Sequence, residues 1–330
     1  MKHFIFSIIF TIIAFVVAFV WAGWAGVAVC ALLTVMEVTL SFDNAVVNAT
    51  VLNGMSEKWQ KRFLTWGILI AVFGMRLVLP VVIVAFATGL HSWDVAMLAI
   101  EQPEVYSQHV LNAHVQIGAF GGMFLLMVFL HFILDAGKEL HWLGIIEQKL
   151  AQLGKLESVE VASAMIILLA AQSFLPPEDA RHALVSGTVG VVLYVLINGI
   201  TGLMGKPDGA AQVAHSGLIG FIYLQFLDAS FSLDGVIGAF AISKDVIIIM
   251  LGLGVGAIFV RSLTIYLVHK GTLAKYVFLE HGAHYGIGAL AMIMLASMVA
   301  HVPEVVTGLV GLAFVLLSLW SSVRYNRKSG

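Results

Sequence analysis

Leu33 to Leu52 reads LTVMEVTLSFDNAVVNATVL, and Leu224 to Ser243 reads LQFLDASFSLDGVIGAFAIS. At a constant offset of 191 residues, Thr34 matches Gln225, Glu37 matches Asp228 and Thr39 matches Ser230. Ser41 matches Ser232 in the same register, and Asp43 matches Asp234. Both stretches are otherwise apolar and about as long as a bilayer is thick, since a helix needs ~20 apolar residues to cross. Carboxylates inside such a stretch are costly and mark function by default.

The rest of the chain agrees with the motifs. Of its 330 residues 60% are apolar and 11% charged, with a mean hydropathy of +1.00. A soluble domain is about a quarter charged. Apolar runs predict ten transmembrane helices, roughly at 4–22, 24–52, 63–88, 115–136, 160–175, 185–204, 216–242, 246–269, 283–301 and 304–322. The fifth is short and stops at Pro176-Pro177. The first resembles a signal peptide, but it lacks a small-x-small cleavage site and a second run follows at once, so it reads as a retained helix. These runs are apolar around their whole circumference, and only helices or closed barrels satisfy a backbone in lipid. The expected architecture is therefore an all-α polytopic membrane protein, with residues 1–330 forming a single transmembrane domain. The one cysteine, Cys30, excludes an intramolecular disulfide. The apolar runs make membrane lipid the surrounding partner, and the near-zero net charge points to no nucleic acid.

Basic residues set an orientation. An inside N-terminus places 13 of the 17 Lys and Arg residues in the cytoplasm, Lys2 and Lys206 among them, and only Arg181 and Lys244 outside. With ten helices both termini are cytoplasmic. The repeat extends beyond the motifs: Gly67 stands nine residues before Arg76, and Gly252 nine before Arg261. His114-x2-Ile117-Gly118-Ala119 is echoed by His284-x2-Ile287-Gly288-Ala289. Helices 2–4 (repeat one, about 24–136) thus match helices 7–9 (repeat two, about 216–301). A displacement of five spans is odd, so the copies are expected to be inverted, a design that secondary transporters use around a midplane site.

Four carboxylates at helix centres carry a penalty of roughly 10–14 kcal/mol on insertion scales, which packing alone gives no reason to bear. At about 100° per residue, Glu37, Ser41, Asn44 and Asn48 fall within about 60° of one another and form one polar stripe. Asp228, Ser232, Gly235 and Gln225 form its counterpart. Asp43 and Asp234 lie about 120° off these stripes. Either each faces another neighbour, or the helices break near Ser41–Asn44 and Ser232–Gly235, as transporter helices do to expose backbone carbonyls. The donor set of carboxylate, amide and hydroxyl oxygens suits Mg, Ca or Mn rather than zinc or copper. Glu37, Ser41, Asp43, Asn44, Asp228, Ser232 and Asp234 are the candidate metal residues. Arg76 and Arg261 bring the centre to a formal −2, which one divalent ion neutralises; the competing reading is permanent ion pairing. His131 with Asp135, and Glu280 with His281 and His284, are accessory candidates for charge balance or proton relay.

The paired signature, Glu37-Val-Thr-Leu-Ser-Phe-Asp43-Asn44-Ala45 and Asp228-Ala-Ser-Phe-Ser-Leu-Asp234-Gly235, resembles the two acidic motifs of the TerC-like integral membrane family. That family belongs with the LysE-type exporters and takes its name from tellurite resistance. The chain is similar to its longer bacterial branch, once known only as a domain of unknown function. The resemblance covers helices 2–4 and 7–9. It implies a multi-pass protein of the bacterial inner membrane that exports a metal, Mn2+ foremost, with Glu37, Asp43, Asn44, Asp228 and Asp234 as metal residues. Gly235 departs from the pattern by removing a side-chain ligand.

The expected function is therefore a divalent-cation transporter, a secondary Mn2+ exporter with a carboxylate-lined midplane site. The metal is its cargo, a proton its counter-ion, and no prosthetic cofactor is needed. Desolvated carboxylates bind protons unless a cation replaces them. The alternatives are an exporter of a small organic solute and a non-transporting membrane scaffold in metal or tellurite stress. An intramembrane aspartyl protease lacks its Gly-x-Gly-Asp signature here, so the protein is not read as an enzyme.

Overall fold

The computed structural model describes residues 4–156, 158–203, 217–270, 275–300 and 302–329; Lys2 and Lys206 lie outside them. Among the described residues the chain is helical and contains no strand. Among the described residues seven helices are long and apolar enough to cross a membrane: Ile5–Leu40, Glu57–Phe86, His114–Ile133, Pro177–Ile200, Leu218–Ile242, Val246–His269 and Val306–Arg327. The protein is a polytopic α-helical membrane protein.

Seven differs from the ten expected because two expected helices are counted as one and two others fall short of this length or apolarity. The first two expected spans are two helices that meet where Ala22 and Gly23 leave helical φ/ψ, and they are counted together above as Ile5–Leu40 (α1). The fifth is a helix of 14 residues, Val159–Gln172 (α9), below the usual spanning length. The ninth, α13 (Leu279–Ser297), is long enough, but Glu280, His281 and His284 dilute its apolar character.

At Ala22–Gly23 the chain turns back, with Gly23 at φ +63°. Contacts with α12 (Val246–His269) establish the reversal. Ser7 Oγ meets Ser262 Oγ at 2.7 Å, and Trp21 Nε1 donates to Asp245 Oδ2 at 2.8 Å, so the first arm runs antiparallel to α12. In the second arm Thr34 Oγ1 donates to the Gly252 carbonyl at 3.1 Å, and Glu37 lies one turn further on, against Gly256. That arm runs parallel. Asp245 also caps α12, accepting from the amides of Ile247 and Ile248 at 3.0 and 3.2 Å, so one carboxylate ties the hairpin tip to a helix start.

Ser41 separates α1 from α2 (Phe42–Asn53). In the second copy, α11 (Leu218–Ile242) runs unbroken through Ser232–Gly235. The first motif is thus interrupted at one residue, whose amide and carbonyl keep their helical bonds to Glu37 and Ala45 at 3.0 and 3.1 Å. The unwound, carbonyl-exposing break expected in both motifs is seen in neither. The span after the first motif comprises α3 (Glu57–Leu69), a π-helical stretch (Ile70–Val78) and α4 (Leu79–Thr88). Pro80 explains the widening. It has no N–H for the Arg76 carbonyl, and its ring would clash there in an α-helix. The Leu79 amide reaches back five residues to Gly74 instead.

The helix α7 (His114–Ile133) is buried on nearly all sides. It packs between α13 and α10 (Pro177–Leu203), with α2 and α11 completing one apolar core. Where lipid supplies no hydrophobic drive, small residues allow close helix approach. A methyl group at Gly190 would come within 2.5 Å of the Phe120 carbonyl oxygen.

Candidate functional site: paired charges between two cavities

The first acid of each motif finds the arginine of its own copy. Glu37 Oε1 pairs with Arg76 Nη2, and Asp228 Oδ2 with Arg261 Nη2. Glu37, Arg76 and Arg261 are 2%, 7% and 2% exposed, so these charges have essentially no water to solvate them. The π-helical turn aims Arg76 at Glu37, and its Nη1 also donates to the Ala71 carbonyl. Arg261 is fixed on several sides. Its Nη1 donates to the Phe63 carbonyl at 3.0 Å, Nη2 lies 3.5 Å from Gln225 Oε1, and its guanidinium sits 4.1 Å above the Phe63 ring. Gly67 makes room for it, because a methyl group there would collide with Arg261 Nη1. On the other side Gly256 makes room for Glu37, whose Cβ would lie 2.5 Å from a methyl group at that position.

The two pairs share one cavity. Glu37, Ser41, Asn44 and Arg76 from one copy, and Asp228 and Arg261 from the other, line a space of about 10 Å³. That is the volume the centre of roughly one water molecule can occupy. Ser41 Oγ lies 3.1 Å from Glu37 Oε1. Asn44 Nδ2 and Asn48 Nδ2 both donate to Asp228 Oδ1, at 2.8 and 3.1 Å. The polar stripe of the first motif thus reaches across to the acid of the second, and the four charges of this centre sum to zero.

The other two motif acids lie elsewhere. Asp43 is 3% exposed, and its Oδ1 accepts from the Asn44 amide at 2.9 Å. Its carboxylate faces the bare backbones of Gly286 on α13 and Gly311 on α14 (Glu304–Ser329). Among the described residues no ion pair reaches it. Asp234 lines a cavity of about 300 Å³ with Leu111, His114, Ser297 and Met298. Ser232 is buried without a hydrogen-bond partner for its hydroxyl. Asp43 and Asp234, the other two acids counted in the sequence sum, therefore lie outside the paired centre. Among the described residues no three His, Cys, Asp or Glu side chains converge closely enough to hold a metal ion by themselves.

The accessory residues come together. His131, Asp135, Glu280, His281 and His284, together with Lys138, line one cavity of about 370 Å³. It lies at the opposite ends of α7, α11 and α13 from the Asp234 cavity. Tyr223, Asp228 and Asp234 mark the succession along α11: large cavity, paired centre, second cavity. At ~1.5 Å per residue these steps are about 7.5 and 9 Å.

His131 and Asp135 do not share a helix face as expected, because α7 ends at Ile133 and Asp135 Oδ1 turns to accept from the Gly137 amide at 2.8 Å. His131 Nδ1 instead meets Glu160 at 3.1 Å. His284 stacks on Phe132 with ring centroids 4.0 Å apart.

Sequence reasoning missed Glu147, on α8 (Ile145–Leu153). It is fully buried, pairs with Lys138, accepts from the Leu143 amide at 3.1 Å and lies 3.4 Å from His281 Nε2. Burial works to raise its carboxyl, but the Lys138 ammonium and the Leu143 amide outweigh it and hold the group below the usual range. Its signal was faint: a single acid in a loop carrying ordinary charges.

Fold and site together define a polytopic helical membrane protein with a buried, charge-paired centre. The chain matches the family model described as "Protein of unknown function (DUF475)" over residues 42–329, and it belongs to that family. The matched region contains Asp43, Asp228 and Asp234 but begins after Glu37 and Ser41. No curated protein and no solved structure matches the chain.

Proposed function

We propose that this protein is a secondary transporter of a divalent cation, Mn2+ first, in the bacterial inner membrane, built from two inverted copies around a midplane site. The observation that carries the reading is the shared cavity: an acid and an arginine from each sequence copy, buried between two larger cavities at opposite ends of the same helices. A structural pair needs neither the second copy nor the flanking cavities.

In this reading the ion pairs are the empty state. Arg76 and Arg261 neutralise Glu37 and Asp228 while no cargo is present, and an entering cation takes over the carboxylates as the guanidiniums withdraw. The large cavity, with Asp135, Glu139 and Glu280 on its wall, is the cytoplasmic entrance and concentrates cations. Asp234 marks the outer exit. Movement of one copy against the other opens the centre to each cavity in turn, and a proton returns as counter-ion.

Uptake of Mn2+, Mg2+, Ca2+ and Zn2+ into inverted vesicles tests this, with wild type, Asp228→Asn and Asp43→Asn. Transport that stops in Asp228→Asn is expected; failure of all four ions to move in the wild type removes the proposal. One observation favours a second reading: a neutral centre with both charge signs also suits a zwitterionic organic solute. A cavity of about 10 Å³ is far too small for one in this conformation. Uptake of amino acids by the same vesicles, without metal, would reverse that preference.

A further inference from the structure

Asp228 carries two amide hydrogen bonds on one oxygen, from Asn44 and Asn48, while its other oxygen faces Arg261. The two asparagines are four residues apart on α2, one helical turn, so they stack on one face. Asn48 is fully buried and Asn44 is 3% exposed. Their carbonyl oxygens, Asn44 Oδ1 and Asn48 Oδ1, are buried with no donor to accept from. A buried polar atom without a partner costs about 1–3 kcal/mol, and here two such atoms flank one carboxylate. An amide oxygen can be satisfied only by a donor or a cation. At the 191-residue offset the second copy has Gly235 and Ala239, which carry no amide. Gly235 lies against Glu37, where a methyl group would come within 3.0 Å of Oε2. The amides therefore serve one carboxylate only.

We infer that Asn44 and Asn48 form an amide clamp on Asp228, and that Asn48 is a specificity-determining residue for a hard divalent cation. The inference rests on the transport reading and names the ligand set of its site. Amides suit both states of such a centre. Empty, they turn their NH2 groups to the carboxylate and stabilise its charge beside Arg261. With a cation on Asp228, rotation about the terminal torsion, which is broad for an amide, exchanges NH2 for oxygen in the same place. The cation then meets a carboxylate and two neutral amide oxygens, hard donors of the kind Mn2+, Mg2+ and Ca2+ accept. Neutral ligands hold the ion without adding charge, and affinity in oxygen sites follows ligand charge. A site built this way releases its cargo more readily than one with three carboxylates.

The test is equilibrium dialysis of the detergent-purified full-length protein against Mn2+, with Asn48→Leu, which keeps the volume and removes the polar atoms. Binding is expected to weaken on the order of tenfold or more. Asn48→Ser, which retains an oxygen but cannot exchange donor for acceptor in the same way, is expected to fall between, and it serves if Asn48→Leu does not fold. Wild-type affinity in either folded variant overturns the clamp, as does a wild type that binds no Mn2+. Vesicle uptake in parallel separates the two ideas. Asn48-dependent binding without transport keeps the clamp and removes the transport reading; transport indifferent to Asn48 does the reverse.

Discussion

Replacing Arg261 by methionine removes a guanidinium that is 2% exposed and makes four contacts: the Phe63 carbonyl at 3.0 Å, Gln225 Oε1 at 3.5 Å, the Asp228 carboxylate, and the Phe63 ring at 4.1 Å. Asp228 keeps its two amide donors but loses its counter-charge. Stranding one member of a buried pair costs about 3–5 kcal/mol, and the lost ring contact adds about 1 kcal/mol. About 4–6 kcal/mol is expected, and at ~2 °C per kcal/mol for a large chain this lowers Tm by about 8–12 °C. Asp228→Asn strands Arg261 instead and should cost about 3 kcal/mol or more. The double variant Arg261→Met/Asp228→Asn leaves no buried charge at this pair, and replacing a buried ion pair by neutral groups is often close to neutral. It should therefore be more stable than either single variant, with a coupling energy of at least about 2 kcal/mol. Thermal unfolding of the four proteins in one detergent measures this. If the double variant loses the sum of the two single losses, Arg261 and Asp228 are energetically independent and the paired centre is wrong.

Three further outcomes follow from other parts of the molecule. Pro80→Ala restores a hydrogen-bond donor to the helix, so the π-helical turn should tighten and rotate Arg76 away from Glu37; vesicle uptake should fall while helical content by circular dichroism stays constant or rises. Gly256→Ala puts a methyl group 2.5 Å from Glu37 Cβ and should cost about 1–3 kcal/mol, read as a lower Tm, whereas Gly199→Ala, with open space around it, should cost nothing through contact. Glu147 is held below its ordinary range, so the stability it contributes is present above its unfolded value of about 4.3 and is lost as pH falls through the lower folded value. Wild type should accordingly show a steeper fall of Tm below about pH 4.3 than Glu147→Gln, and parallel profiles would remove Glu147 from the acid response.

The membrane class was readable because it follows from runs of apolar residues, which burial in lipid requires whatever the tertiary contacts. The polar stripe was readable for a similar reason. Helix periodicity places Glu37, Ser41, Asn44 and Asn48 on one face, and all but Asn48 line the paired cavity while Asn48 reaches the same carboxylate. Periodicity also set Asp43 and Asp234 apart, and they lie apart. It could not say that α2 starts after a one-residue interruption at Ser41 while α11 passes Ser232 unbroken. That difference depends on what each helix packs against. Summing the charges assumed that all six groups meet; their division into two neutral pairs and two separate acids is a property of tertiary packing. The Glu147, Lys138 and His281 cluster was hidden for the same reason, since residues 138 and 281 meet only through the fold.

The pairing of each acid with the arginine of its own copy also bears on how the chain enters the bilayer. Glu37 and Arg76 are 39 residues apart, and Asp228 and Arg261 are 33 apart, in each case on neighbouring segments of the chain. Each acid therefore has a counter-charge close behind it during synthesis, and the next helix to emerge brings the partner. A charged group at helix centre carries about 2.5–3.5 kcal/mol of insertion penalty. Pairing within a copy offsets that penalty hairpin by hairpin, with no need to wait for the distant half of the protein. The same charges that close the centre in the finished molecule let the first acid of each motif enter the membrane already paired.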